Sequence, residues 1–392
     1  MTGHKIIYVS DLNMGGADSA EKSVPRSGYA NIAMQLCRRL AEHGNEVKVL
    51  GIGYTGQEHG EPFSIIPCTS LQDVVGYINN LKFLWQAEVV IVALDIHIYQ
   101  ESIFPKVKQM GGMKYICITP LESDPLCITW ANLLRQMDKV FFISQFGADE
   151  AIKKGVPAEH IEIGIDTNLW KLRTKEEYNK TRKNLGIDPD EFVIITVADN
   201  QERKALGRGM QIVSELKNLH GIKVRHILVT RENSSVGWKL YDLAYELEIS
   251  SELMVFNNGI SFEDLYALYA ASDAYLSCSK GEGLGLPIME AMCIGIPVVA
   301  NSTGALPELL EGGKGWLSSW SSWYYDPFGN QRRYDISIEE ACQYLLLVQN
   351  KDNKGIVDKT TFFAREFMES KDWNKSAKQI EDAMEKIFGK VE

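Results

Sequence analysis

Short apolar runs alternate with longer amphipathic runs along the whole chain, and few folds accept that alternation. A strand covered on both faces reads as an uninterrupted Val/Ile-rich run, and a helix between successive runs makes the pairing parallel. In the first half the runs are KIIYVS (5–10), EVKVLGI (46–52), EVVIVAL (88–94), KYICIT (114–119) and KVFFIS (139–144). The stretch 29–43 between the first two places Ile32, Ala33, Leu36, Cys37 and Leu40 at helical spacing, and Gly44 supplies the left-handed residue that stops it. In the second half FVIITVAD (192–199), KVRHILVT (223–230), ELMVFNN (252–258), DAYLSCS (273–279) and IPVVANS (296–302) repeat the pattern, with helices predicted at 209–219 and 263–271.

A chain of 392 residues exceeds what one core usually holds. The alternation weakens in the charged stretch between Asp166 and Asp190. Two α/β domains of Rossmann type, each doubly wound, are therefore expected, 1–170 and 171–373, with a cleft between them. From Thr360 onward the pattern is helical with a break near Ser370 to Trp373. The final helix, about 374–392, either caps the second domain or crosses back to join the first.

With 45% hydrophobic and 24% charged residues the composition is that of a globular protein, and the formal charge of −11 opposes general attraction to nucleic acid or anionic membranes. No run reaches the roughly 18 apolar residues of a membrane helix, and the first strand begins at once, without a signal-peptide core. A cytoplasmic protein, monomer or dimer, is expected. The seven cysteines are scattered with no CxxC pair and the seven histidines show no metal-binding spacing, so the expectation is buried thiols and no protein-bound metal.

The stretch "SKGEGLGLPIMEAMCIGIPVVANSTG" (279–304) concentrates the chemistry. Strand, glycine-rich loop and short helix follow one another, which aims free backbone N–H groups and a positive helix end at an anion. Glu282 and Glu290, with seven residues between them, are its only acids. A carboxylate accepts from two adjacent hydroxyls at once, which suits a sugar or ribose. The competing reading makes Glu282 a partner of the helix dipole and Glu290 a solvated charge. "EGGKGW" (311–316) lacks the Walker spacing and reads as a turn, and "GEGLGLP" has Leu286 where a dinucleotide fingerprint needs its third glycine.

The run from Glu282 to Met292, then Gly295 to Ala300, then Gly304 to Leu309, resembles the donor-binding motif of family 4 glycosyltransferases. The resemblance extends over most of 190–392 and more loosely over the first half. It implies the GT-B fold, two Rossmann-like domains facing across a cleft, and a retaining hexosyltransferase using a UDP- or GDP-sugar such as UDP-glucose. The nucleotide-sugar is then a co-substrate and no cofactor is needed.

By position the resemblance gives Glu290 the ribose hydroxyls, Glu282 the transferred sugar, and Gly283, Leu284 and Gly285 the phosphates or sugar through their amides. Asn200 and Asn258 join the donor contacts. The family's Gly-Arg after the first strand of the second domain is replaced by Ala198-Asp199, so Arg203 and Lys204 are expected to steady the leaving diphosphate. On the acceptor side the candidates are Gly28 within Ser27-Gly28-Tyr29, with Gly15-Gly16 as its alternative, then Asp95, His97, Glu122 and Ser144. No pair has the spacing of a glycosidase nucleophile and acid, which implies front-face departure and attack. The acceptor is open: glycan, lipid or small molecule. The aromatic insertion "SWSSWYYDPFGNQRRYD" (319–335) admits nucleic acid only as an acceptor, through a modified base, or is a surface loop against the C-terminal helix. A GT-B epimerase and a nonenzymatic nucleotide-sugar-binding protein are the rival readings.

Overall fold

A computed structural model describes residues 3–12, 27–257 and 259–389. Two compact units result, one from the chain up to Gly164 together with the segment from Asp372 onward, the other from Ile165–Lys371.

The first unit carries seven parallel strands: β1 (Lys5–Asp11), β2 (Glu46–Ile52), β3 (Ser64–Cys68), β4 (Val89–Ala93), β5 (Lys114–Thr119), β6 (Lys139–Phe142) and β7 (Ala158–His160). Their order is β3-β2-β1-β4-β5-β6-β7, so the winding reverses beside β1. All five residues of β4 are buried, as a strand covered by helices on both faces requires. The helix Gly28–Glu42 follows β1, capped by the Ser27 hydroxyl, which accepts from the Ala30 amide at 3.1 Å. Two strands of this sheet, β3 and β7, escape the sequence reading. The first is short and contains a proline, and the second is three residues long.

The helix Trp373–Ile387 belongs to this same unit. Gln379 donates to the His160 carbonyl at 3.1 Å and accepts from the Glu162 amide at 3.1 Å, while Asn45 donates to Glu381 at 3.0 Å. The chain crosses back at Gly164, where a Cβ would lie 2.6 Å from the Trp373 indole and 2.7 Å from its backbone nitrogen. Neither can yield, because Trp373 is buried. Gly164→Ala is accordingly expected to lose about 1–3 kcal/mol of stability, read as a lowered urea midpoint, by displacing this helix.

The second unit has six parallel strands: β8 (Phe192–Val197), β9 (Val224–Thr230), β10 (Leu253–Asn257), β11 (Ala274–Ser277), β12 (Val298–Asn301) and β13 (Trp316–Ser318). The order β10-β9-β8-β11-β12-β13 reverses beside β8, and in such sheets ligands bind where neighbouring connections diverge at the strands' carboxyl ends. The aromatic insertion is not an irregular loop. It forms an antiparallel ribbon, β14 (Trp320–Asp326) and β15 (Gln331–Ile336), joined through a turn in which Gly329 and Asn330 take positive φ.

Every cysteine is a free thiol, six of them buried. Among the described residues no helix is long and apolar enough to cross a membrane.

Candidate active site

At the carboxyl ends of β8 and β11, side by side in the sheet, two loops meet. The loop after β8 ends in a single 3₁₀ turn, Glu202–Lys204, and passes through Ala205 at φ 49° before the helix Leu206–Asn218. A left-handed alanine costs roughly 1–2 kcal/mol. Buried Ala205 holds that conformation, and with it the direction in which Arg203 and Lys204 leave the chain.

The loop after β11 carries Glu282. It is tied down by the Ala305 amide, which donates to the Glu282 carbonyl at 2.8 Å, and by Asn301, which donates to the Ser279 carbonyl at 3.0 Å. The Lys280 amide donates to the Arg203 carbonyl at 2.8 Å, joining the two loops. Arg203 then donates to the Gly281 carbonyl at 2.7 Å and to Glu282 Oε2 at 3.2 Å, while Lys204 Nζ donates to Oε1 at 2.5 Å.

Only 13% of the Glu282 side chain is exposed. Burial alone would raise its pKa, but the charges and hydrogen bonds of Lys204 and Arg203 outweigh it and hold the carboxyl below its ordinary value. Glu282 is therefore ionised at neutral pH. One carboxylate thus holds two cations together at the start of the loop.

Glu290 has no such support. It sits one turn inside the helix Leu286–Ile294, half-buried, and receives a hydrogen bond of 2.9 Å from the Tyr269 hydroxyl, which also lies 3.1 Å from the Pro287 carbonyl. Burial pushes its pKa up to about 8, against the small opposing effect of Tyr269. The two acids of one loop and helix are thus set apart: one charged, one largely protonated at neutral pH. Between them the chain passes Gly283, Leu284 and Gly285, the last at φ 94°, a conformation only glycine takes freely, so that the next helix starts abruptly. Among the described residues nothing accepts from the amides of residues 283–286, which leaves a set of donors at a helix start.

The remaining candidates separate into those the structure gathers and those it assigns elsewhere. Asn200 holds the neighbouring loop: its side-chain amide donates to the Trp238 carbonyl at 2.9 Å and its oxygen accepts from the Trp238 amide at 2.8 Å. Asn258, Gly15 and Gly16 lie outside the described residues. Ser144 is likewise occupied as the buried cap of the helix Gln145–Lys153, accepting from the Gly147 amide at 3.2 Å.

In the first unit Tyr29 donates to Asp95 at 2.6 Å, one residue past Gly28 at an exposed helix start. His97 follows in a π-helical turn, with its ring 5.8 Å from that of Trp130. Burial lowers the His97 pKa despite the opposing charges of Asp95, Glu122 and Glu101, which brings those candidates into one cluster.

Sequence reasoning passed over Tyr269, Arg231 and Lys280, and named Tyr29 only as the neighbour of Gly28. Arg231 grips Asp199 through both carboxylate oxygens, at 2.5 and 2.6 Å, and so neutralises the acid that stands where an arginine was expected. Lys280 pairs with Glu202 and, at 3.4 Å, with Asp335 of the ribbon. The only available signal for Lys280 was its place two residues before Glu282.

Residues 177–323 match the family model described as glycosyl transferases group 1. The chain is 21% identical over 309 residues to the N-acetyl-alpha-D-glucosaminyl L-malate synthase of Bacillus anthracis, covering 73% of this chain and 78% of that protein. It is 31% identical over 158 residues to the D-inositol 3-phosphate glycosyltransferase of Corynebacterium jeikeium, but this spans only 39% of the chain and 38% of the relative. Of several other curated relatives the chain also spans well under half, as in 22% of the Escherichia coli mannosyltransferase WbdA. Among solved structures, the sucrose-phosphate synthase of Thermosynechococcus elongatus superposes with a TM-score of 0.78 at 16% identity, covering 99% of this chain and all of that one. Anabaena HepE in complex with UDP and glucose gives 0.72 at 17%, covering 98% and 100%.

Proposed function

We propose that this chain, which resembles the group 1 glycosyl transferases over residues 177–323 and has the GT-B fold, transfers a hexose from a UDP- or GDP-sugar to an acceptor hydroxyl, with retention at the anomeric carbon. The observation that carries this reading is the ionised Glu282 held between Arg203 and Lys204, beside the unengaged amides of residues 283–286.

As the glycosidic bond breaks, negative charge grows on the leaving diphosphate. Preformed cations and amides at that place stabilise it without reorganising. Two of the four lone-pair positions of Glu282 are taken by Lys204 and Arg203, which fixes its orientation, and the others are left for sugar hydroxyls. The carboxylate thus aligns the sugar and keeps its two cations in register before the substrate arrives. Glu290 accepts the ribose hydroxyls. The departing phosphate oxygen takes the proton of the attacking hydroxyl on the same face; the residues proposed for the acceptor side are Gly28, Asp95, His97, Glu122 and Ser144.

Glu290 gives this reading a pH signature. Without ligand its carboxyl titrates near 8, and accepting two hydroxyls favours its ionised form, so nucleotide binding releases a proton. Affinity should therefore rise with pH until it levels off above about 8, by up to about tenfold between pH 7 and 8.5. Calorimetric titration of UDP and GDP across that range tests it, and Glu290→Gln should flatten the profile. Release of nucleotide from a panel of UDP- and GDP-sugars, with product anomers assigned by NMR, tests the transfer and its stereochemistry. Binding without turnover on any of them would leave only a binding protein.

A further inference from the structure

The ribbon of β14 and β15 is joined to the loops that carry the proposed donor site. The Tyr334 amide donates to the Lys280 carbonyl at 3.1 Å, Asn301 donates to the Tyr334 carbonyl at 2.7 Å, and Tyr324 reaches both Glu202, at 3.0 Å, and Lys280, at 3.2 Å. Glu202 directly precedes Arg203, and Lys280 lies two residues before Glu282.

Residues opposite one another on an antiparallel pair share a face. The pair Tyr324 and Arg333 points inward: Arg333 is 2% exposed and donates to Asp326 at 2.8 Å. The pairs Trp323 with Tyr334 and Tyr325 with Arg332 therefore point outward, where Trp323 is 45% and Tyr325 56% exposed. Trp320, past an irregularity in the register, lies against Tyr334 with ring centroids 5.5 Å apart. The Trp323 and Tyr325 rings stand edge to face at 5.3 Å and 88°, and the Arg332 guanidinium covers the Trp323 ring at 5.2 Å. Ring positions are thus set before any partner arrives, which reduces the entropy lost on binding.

We propose that this outward face binds an oligosaccharide, the portion of the acceptor that lies away from the reacting hydroxyl. The proposal rests on the transferase reading and names its acceptor class. A pyranose ring has an apolar C–H face that packs on an aromatic ring, and a hydroxyl rim that the indole N–H groups of Trp320 and Trp323 can engage. With centroids 5.3 Å apart and planes at 88°, Trp323 and Tyr325 offer one ring face and one ring edge, and Trp320 beside Tyr334 adds a further ring along the same ribbon, so the aromatic surface extends past a single sugar. Other occupants fit less well. A formal charge of −11 opposes a polyanion, and the outward face holds one arginine where an anionic bilayer calls for a basic cluster. The edge-to-face rings form a stepped surface rather than the flat continuous patch that a second copy of the chain would cover.

The test uses the full chain and its double variant Trp323→Ala/Tyr325→Ala, with Trp323→Phe as a conservative control. Maltohexaose, cellohexaose, mannohexaose and chitohexaose are titrated by calorimetry and tryptophan fluorescence, and UDP and GDP are titrated in parallel. The expected result is that at least one hexasaccharide binds the native chain, at least tenfold more weakly the double variant, and near normally the Phe variant, with nucleotide affinity unchanged in all three. Four hexasaccharides that fail to bind the native chain, or that bind native and variant equally, overturn the proposal. So does a Trp323-dependent dimer in sedimentation, or Trp323-dependent co-sedimentation with phosphatidylcholine/phosphatidylglycerol vesicles. Because UDP and GDP report on the donor site separately, a silent ribbon with intact nucleotide binding is distinguished from failure of the transferase reading.

Discussion

Lys204→Ala should lower the turnover number by about 100- to 1000-fold while changing nucleoside diphosphate affinity far less. Removing one preorganised hydrogen-bond donor from a site of developing negative charge costs about 3–4 kcal/mol of transition-state stabilisation. Lys204 makes the shorter of the two contacts to Glu282, so its loss also leaves a buried carboxylate resting on Arg203 alone. The Glu282 pKa then rises, because burial, which acts to raise it, is opposed by one charge instead of two. Lys204→Arg keeps a cation but as a planar fork on a different reach, and should recover only part of the rate. Single-turnover kinetics with a saturating nucleotide-sugar separates the chemical step from binding. Unchanged turnover in Lys204→Ala would remove the lysine from the reaction.

Glu290→Ala should weaken nucleotide binding by roughly 100-fold or more, since hydrogen bonds to a charged group are each worth about 1.5–3 kcal/mol and a ribose offers two. The same position predicts an opposite effect on stability. A carboxyl whose pKa is raised to about 8 by folding stabilises the protonated native chain only at low pH, and that contribution is lost as pH rises from the ordinary glutamate range through 8. Glu290→Gln should therefore make the ligand-free protein more stable above pH 8, by about 1–3 kcal/mol, while impairing nucleotide binding. Glu282→Ala should behave differently. It frees Arg203 and Lys204 for the diphosphate, so nucleotide affinity holds while sugar transfer fails. Equal nucleotide affinity in the native chain and Glu290→Ala would refute the assignment of that residue.

The parts of this molecule that were legible in its sequence are those fixed locally. The central strands of both sheets announce themselves because they are buried on both faces and so carry unbroken apolar runs; β4 is the clearest, with every residue covered, whereas the short edge strands β3, β7 and β13 do not. Glu282 and Glu290 stand out because a glycine-rich loop and an apolar helix contain no other acid. What the sequence hides depends on distant partners. Asn200 reads as a site residue, and its tie to Trp238 through both ends of the amide is not legible in the sequence. Ser144 reads as a contact, and its capping of a helix shows only in the fold. The opposite states of the two glutamates are invisible in a one-dimensional reading, because Lys204 and Arg203 reach Glu282 from another element while the burial that raises Glu290 is set by the packing around it.

The ribbon was missed for another reason. Its first strand, WSSWYYD, has aromatic residues on both faces, so no alternation of apolar and polar marks it. The return of the final helix to the first unit was one of two readings the sequence left open, since an amphipathic helix packs on any apolar surface; the approach of Gly164 to Trp373 and the contacts of Gln379 and Glu381 show which one.

The central claim is that the loop and helix from Lys280 to Ile294, with Arg203 and Lys204, form a nucleotide-sugar donor site. Its most direct test is calorimetric binding of UDP and GDP to the native chain and to Arg203→Ala, Lys204→Ala and Glu290→Gln, read beside nucleotide release from the matching sugar nucleotides. Binding of at least one diphosphate, weakened at least tenfold by Glu290→Gln, with turnover lost in the two cation variants, is the predicted result. Native-like binding and turnover in all three variants would place the site elsewhere.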